Sequence, residues 1–399
     1  MPIDFILFGL TLAGVAVFHH HTLYVALTGL AVIIGYQLIF STFPEGPGVA
    51  GLSTHLLHEW VIIANLACLL LGFAILSRHF EKSHLPSALP RLLPDDWKGC
   101  FALLAIVFVM SSFLDNIAAA MIGGAMAHTL FKKVHLGYLA AIVAAANAGG
   151  AGSVVGDTTT TMMWIDGVDP RDVLHAFVAS AVALVVSGLV AAVQQQKYSP
   201  IVKSVHHQPH IDWVRVAIVV LILIAAIASN IALNVSYPDL AGVFPLIGVS
   251  VWVVILLSAP IRRPDWELLR EAGKGAAFLL ALVLAASLMP VEQLPAASWQ
   301  TTFGLGFVSA VFDNIPLTKL ALEQGGYDWG LLAFAVGYGG SMIWFGSSAG
   351  VAITNLYPEA RSVGAWVRQG WHVAVAYVIG FFVMLALLGW QPHAPHKIL

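Results

Sequence analysis

The sequence predicts an all-α polytopic membrane protein built as an inverted-topology repeat, with about 10 crossings, two re-entrant helical hairpins and two broken helices. Three observations carry this. Apolar residues make up 59% of the 399-residue chain and charged residues only 10%, too few to cover a soluble protein of this size. Apolar runs near the ~20 residues needed to cross a bilayer recur along the chain. A polar break inside one apolar stretch reappears, with its surroundings, in the second half. The same composition excludes a disordered chain, a nucleic-acid binder with a basic surface and a disulfide-stapled secreted domain. Cys68 and Cys100 set no disulfide framework.

The first apolar run begins almost at Met1, without a basic n-region or a small-residue cleavage site. This predicts a retained transmembrane helix rather than a cleaved signal. Clear spans are expected at 3–18, 22–40, 56–77, 172–194, 213–235, 241–259, 275–290 and 366–390. Two regions do not fit as simple spans. Residues 100–131 carry Asp115-Asn116 at their centre, which leaves about 15 residues on each side, short of a crossing. A hairpin with its tip at mid-membrane fits better. Residues 136–165 contain NAGGAGSVVGD (147–157), which predicts one crossing by a discontinuous helix.

The order then repeats. Residues 298–324 form a hairpin broken at Asp313-Asn314, and 328–357 a broken helix carrying GYGGSMIWFGSS (337–348). SSFLDNIAAA (111–120) aligns with SAVFDNIPLT (309–318) at an offset of 198. Gly149, Gly150 and Gly156 align with Gly339, Gly340 and Gly346 at an offset of 190. Residues 1–196 thus form a first repeat, 197–212 a cytoplasmic linker and 213–399 a second repeat (spans 213–290, then hairpin, broken helix and last span). In the first repeat the scaffold spans occupy 3–77. Each half crosses an odd number of times, because a hairpin returns to its own side, so the second half is inverted relative to the first. That is the signature of secondary transporters.

Charge sorts on this topology. One face receives Arg78, Lys82, Arg91, Lys98, Lys132, Lys133, Lys197, Lys203, Arg215, Arg262, Arg263, Arg270, Lys274, Arg361 and Arg368. The other receives only Arg171 and Lys397, with Lys319 inside the second hairpin. The basic face is the cytoplasm by the positive-inside rule, which places both termini outside a multi-pass cytoplasmic (inner) membrane protein.

Charge held within a bilayer is costly and points to function. At depth this topology leaves Asp115, Asp157 and Asp313. Each heads a helical segment, so an N-cap role is one reading. Ser, Thr or Asn would cap without burying a charge, which favours carboxylates that hold either a cation or protons, the minimum machinery for exchange. Asn116, Asn147, Ser153, Asn314, Ser347 and Ser348 offer neutral oxygens, and Thr158, Thr159, Thr160 and Thr161 place hydroxyls just after Asp157. The Thr run reads also as back-bonding to carbonyls one turn earlier. The glycines of both breaks either turn carbonyls inward or let helices pack closely.

Lys319 lies one turn beyond the second tip and four residues before Glu323. It is read either as an i,i+4 pair or as an ammonium that reaches a buried aspartate and substitutes for a second cation. His19, His20 and His21 form a loop, and His206, His207 and His210 lie in the linker. A loop role or weak pH sensing is expected of them, with a structural zinc site the lesser reading. His58 with Glu59 reads as an interfacial pair, and Trp60, Trp97, Trp213, Trp366 and Trp390 as an aromatic belt.

At the paired motifs the chain resembles the ion transporter superfamily, and within it NhaD-type sodium/proton antiporters. The resemblance is carried by SSFLDNI (111–117), NAGGAGSVVGDTTTTMMW (147–164), DNIPL (313–317) and GGSMIWFGSSAGVA (339–352). It implies sodium (or lithium) exchanged for protons, sodium near Asp115 and Asp157, and Asn116 and the Thr run as ligands. It also implies no enzymatic activity, no cofactor beyond the transported ions, the bilayer and small inorganic ions as partners, and a homodimer moving by an elevator-like shift. The chain departs from the family pattern in its shorter length, in Ser-Val-Val before Gly156-Asp157, and in Lys319. The alternative keeps the fold and changes the cargo to a carboxylate or an oxyanion such as citrate, arsenite or silicate, favoured by half-helix N-termini. The aspartates, and the lack of a deep arginine to clamp a carboxylate, weigh against it.

Overall fold

A computed structural model describes residues 3–18, 21–41, 43, 46–88, 93–202, 210–233, 237, 240 and 243–393. Among them are nineteen α-helices and no β-strand. The chain opens with α1 (Ile3–Val17), α2 (Thr22–Phe40), α3 (Gly48–Lys82) and the short α4 (Leu85–Ala88). Next come α5 (Trp97–Ser111), α6 (Asn116–Leu130), α7 (Leu136–Ala151), α8 (Thr158–Ile165), α9 (Pro170–Leu174) and α10 (Ala176–Tyr198). A further group is α11 (Trp213–Ile231), α12 (Leu246–Ser258) and α13 (Leu268–Ser287). The chain continues through α14 (Trp299–Ser309), α15 (Asn314–Gln324), α16 (Trp329–Gly339), α17 (Ser348–Leu356), α18 (Val363–Gln369) and α19 (Trp371–Leu388).

The helices break at the polar and Gly-rich stretches. The Asp-Asn dipeptides separate α5 from α6 and α14 from α15, and the Gly-rich segments separate α7 from α8 and α16 from α17. Several boundaries differ from the sequence expectation. The span expected at 56–77 is part of the 35-residue α3, which extends into polar flanks that a hydropathy rule ignores. The span expected at 172–194 begins with a separate turn, α9, started by Pro170 and the Asp169 cap. The last span is divided at Gly370 into α18 and α19. Pro245 immediately precedes α12, which is only 13 residues long.

A helix apolar on all sides belongs inside a bundle. Two such helices, α7 and α16, lie against each other at the centre, with every residue of Gly137–Ala151 and Trp329–Gly339 buried. The helix before each Asp-Asn break packs on them, α5 on α7 and α14 on α16, and α10 lies along α19. Small residues permit this approach. A Cβ at Gly149 would collide with the Phe108 carbonyl oxygen of α5, and one at Gly339 with the Gly306 carbonyl oxygen of α14. These glycines therefore serve close packing. Around this core, α3 runs along α11, α12 and α13, and α2 packs on α13.

Polar residues at the C-terminal end of α3 meet the start of α11 and the α12–α13 connection. Lys82 Nζ lies 2.8 Å from Asp265 Oδ2, Arg262 Nε donates to Asp212 Oδ2 at 2.8 Å, and the Asp212 amide donates to the Ser83 carbonyl at 2.9 Å. The Arg262 hydrogen bond holds the Asp212 carboxyl below the usual carboxylate range, and Lys82 does the same for Asp265. Arg91, Lys203, Lys397, His19, His20, His206 and His207 lie outside the described residues. Among the described residues no group of three or more His, Cys, Asp or Glu could hold a metal ion. One tryptophan departs from the belt expectation. Trp366 is 1% exposed and donates from Nε1 to the Ser341 carbonyl at 3.2 Å, because α18 folds onto α7.

Candidate functional site

Four helices begin at the two Gly-rich breaks and the two Asp-Asn breaks: α6, α8, α15 and α17, with Asp115, Asp157, Asp313 and Ser347 at their N-cap positions. Capping accounts for two of these. Asp313 Oδ1 accepts from the Ile315 amide at 3.0 Å, and Ser347 Oγ accepts from the Gly350 amide at 3.3 Å. Asp115 and Asp157 make no such side-chain cap bond. Asp157 instead takes its hydrogen bonds from side chains.

Asp157 is the centre. Its Oδ1 accepts from Asn116 Nδ2 at 3.3 Å, and its Oδ2 from Thr159 Oγ1 at 2.7 Å and from Asn314 Nδ2 at 3.2 Å. Asn116 and Asn314 are the first residues of α6 and α15, so one carboxylate joins both Asp-Asn breaks. Asn147 extends the network from α7: its Oδ1 accepts from Asn116 Nδ2 at 3.1 Å, and its Nδ2 donates to Ser341 Oγ at 2.9 Å and Ser347 Oγ at 3.1 Å. Every one of these side chains is buried. A buried carboxylate is tolerated where donors surround it.

Asp115 completes the site from another side. It is partly exposed and, with Asp157, Thr158 and Thr161, lines a cavity of about 60 Å³ whose far wall is Leu66, Leu69, Leu70, Phe73 and Ala74 of α3. That volume exceeds the roughly 10–15 Å³ that one water requires.

The sequence-predicted residues therefore divide. Asn116, Asn147, Asp157, Thr159, Asn314 and Ser347 are joined by one hydrogen-bond network, with Asp115 and Thr158 at its cavity. Asp313 and Ser348 form a separate contact, Ser348 Oγ to Asp313 Oδ2 at 3.4 Å. Thr160 and Thr161 bond the unwound segment instead, through the Ser153 carbonyl at 2.5 Å and the Val154 carbonyl at 2.9 Å. Ser153 donates to the Ser112 carbonyl at 2.6 Å and is tied to the end of α5 rather than to Asp157.

Lys319 does not bond the aspartates. Its Nζ lies 2.9 Å from Glu59 Oε2 and 2.5 Å from Glu323 Oε1. The i,i+4 pair is present, and Glu59 joins it. The interfacial pairing expected of His58 and Glu59 is replaced, since His58 is exposed while Glu59 is 4% exposed and turned inward to Lys319. Sequence reasoning missed Glu59, Ser341 and Gly337. The signal for Glu59 was available in its spacing: His55, Glu59, Ile62, Leu66 and Leu69 recur at four and three residues, the stripe of a buried helix face.

No family model matches the chain. Among curated proteins it is 27% identical to Sodium/proton antiporter 1 of Arabidopsis thaliana over 324 residues, 68% of this chain and 53% of that protein. It is 29% identical to Sodium/proton antiporter 2 of Arabidopsis thaliana over 294 residues (62% and 67%), and 24% identical to the Na(+)/H(+) antiporter NhaD of Vibrio parahaemolyticus over 298 residues (62% and 71%). The chain spans about half the length of the first of these relatives. A solved structure of Neisseria gonorrhoeae MtrF, from work on a class of antimetabolite efflux pumps, matches with a TM-score of 0.51. It covers 94% of this chain and 96% of that chain at 13% identity, a likeness of fold. The long apolar helices and these relatives define the class as multi-pass helical membrane proteins, and the relatives it resembles carry the names of transporters. More particularly, the chain is a homologue of sodium/proton antiporters, NhaD-type proteins among them.

Proposed function

We propose that this protein exchanges sodium, or lithium, for protons across the cytoplasmic membrane by alternating access, with an elevator-like displacement of hairpins and broken helices against the remaining spans. The observation that carries the reading is the Asp157 carboxylate, held by Asn116, Asn314 and Thr159 and sharing a cavity with Asp115. Such a carboxylate accepts a cation or a proton at the same oxygens, which couples the two fluxes by competition. The names of the relatives support the same cargo.

The wider architecture belongs to this reading. Residues 1–196 and 213–399 are two repeats joined by the 197–212 linker, inverted relative to each other, with α5–α6 and α14–α15 as re-entrant hairpins and about ten crossings in all. Matched packing supports it: α5 meets α7 as α14 meets α16, and α2 meets α13 as α12 meets α3. Both termini lie outside, and two copies form a homodimer.

A second reading, a coupled transporter of a small carboxylate or oxyanion, draws on the convergence of four helix N-termini and on the fold shared with an efflux pump. Among the described residues no arginine is buried to receive such an anion, and three aspartates oppose one. The test is purified protein in liposomes on a solid-supported membrane, with sodium, lithium, citrate and arsenite compared across a pH series. Sodium-dependent currents lost in Asp157→Asn and Asp115→Asn are expected. Currents that follow citrate and ignore sodium would establish the second reading instead.

A further inference from the structure

The Lys319 ammonium is 1% exposed, and the Glu59 carboxylate facing it 4% exposed. The pair connects α15, the second arm of a hairpin, to α3, outside the hairpins and broken helices. At the same level His55 Nε2 shares a hydrogen bond of 2.9 Å with Ser287 Oγ of α13, and Asp166 at the far end of α8 lies within electrostatic reach of Lys319.

Helix α3 acts as a ruler for these positions. Its Leu66–Ala74 stretch faces the cavity shared with Asp115 and Asp157. Glu59 lies seven residues before Leu66, roughly 10 Å nearer the start of α3 at 1.5 Å per residue. The cavity lined by Asp115 and Asp157 thus has the buried ion pair on the side toward the start of α3.

The third partner makes this pair separable. Glu323 sits on α15 with Lys319 and is 33% exposed in its side chain, so the ammonium keeps a carboxylate when Glu59 departs. His55, one turn from Glu59 on α3, stays beside the acid. Breaking a buried pair is strongly unfavourable when it leaves one charge bare. Here Glu323 keeps the ammonium from being left so.

We infer that Lys319–Glu59 is the latch that closes the site on the outer side, and that it breaks and re-forms in each transport cycle. The inference rests on the antiport reading and names the residues that control access to its site.

Two measurements test it in the full chain with Cys68→Ala and Cys100→Ala. In Glu59→Cys/Lys319→Cys, a short bifunctional methanethiosulfonate should cut sodium/proton exchange in liposomes at least tenfold, with recovery on reduction. Undiminished exchange by the crosslinked protein would overturn the latch. Spin labels at Leu57→Cys and Gln324→Cys give a readout independent of cargo. Adding Glu59→Gln/Lys319→Met, which leaves no bare charge between the two, should produce a second distance population, and an unchanged distribution would overturn the inference. Should no cation exchange for protons while the distances still respond, the antiport reading fails and the latch stands.

Discussion

At the first helix break Asn147 and Asp157 stand where the second break, at the same 190-residue spacing, has Gly337 and Ser347. The backbones correspond closely. Gly149 meets the Phe108 carbonyl as Gly339 meets the Gly306 carbonyl, and the α5–α6 and α14–α15 turns carry Asp115-Asn116 and Asp313-Asn314. The chemistry does not correspond. An ideal Cβ at Gly337 would crowd Ala151 Cβ at 3.2 Å and reach ordinary contact, 3.6 Å, with Asp157 Oδ2, so Gly337 offers no polar group where Asn147 does. Ser347 only caps α17 and accepts from Asn147. Two similar frames thus surround a single central carboxylate, Asp157, which has no acidic counterpart at Ser347.

The sharpest way to break this comparison is to neutralise each counterpart. Asp157→Asn should lower sodium affinity about 100-fold or more, since loss of a buried charge partner costs ~3–5 kcal/mol. Ser347→Ala loses mainly a cap, ~1 kcal/mol, and should leave exchange within about tenfold of the parent protein. Sodium titrations of the exchange current measure both, and equal losses would mean the two breaks share the work.

The tips come next. Asn116 bonds both Asp157 and Asn147, whereas Asn314 bonds Asp157 alone. A hydrogen bond to a charged group is worth ~1.5–3 kcal/mol, so Asn314→Ala should weaken sodium binding by about 10–100-fold. Asn116→Ala should exceed it, because it also strands the Asn147 carbonyl. The reverse order in the same titrations would move the centre of the site toward the second hairpin.

Gly149→Ala and Gly339→Ala test the shared backbone. Each methyl meets a carbonyl oxygen of the neighbouring hairpin arm, so each should cost ~1–3 kcal/mol by overpacking. Thermal unfolding in detergent should show similar losses, and a loss in one alone would show that the frames differ.

The smallest effect is expected at the connection between the halves. Arg262 holds the Asp212 carboxyl below its usual range, so its contribution is present above the ordinary carboxylate range and disappears as pH falls through the lowered value. Asp212→Asn should therefore lower Tm modestly near neutral pH and leave it unchanged in strong acid. A difference that persists in acid would assign the effect to geometry rather than charge.

Composition and motif spacing by themselves determined the class: too little charge for a soluble surface, apolar runs of helical length, and breaks at Asp115-Asn116, Asp313-Asn314 and the two Gly-rich stretches. These are local properties, since a helix breaks where its own residues disfavour it. The candidate site was legible for the same reason at Asp115, Asn116, Asn147, Asp157, Thr159, Asn314 and Ser347. Which of three similar aspartates becomes the centre was not. Asp157 receives Asn314 from 157 residues away, and Lys319 finds Glu59 at a separation of 260. Hydrogen bonds and ion pairs are governed by distance in space, and only the packing of α3 and α15 on α8 brings these partners together.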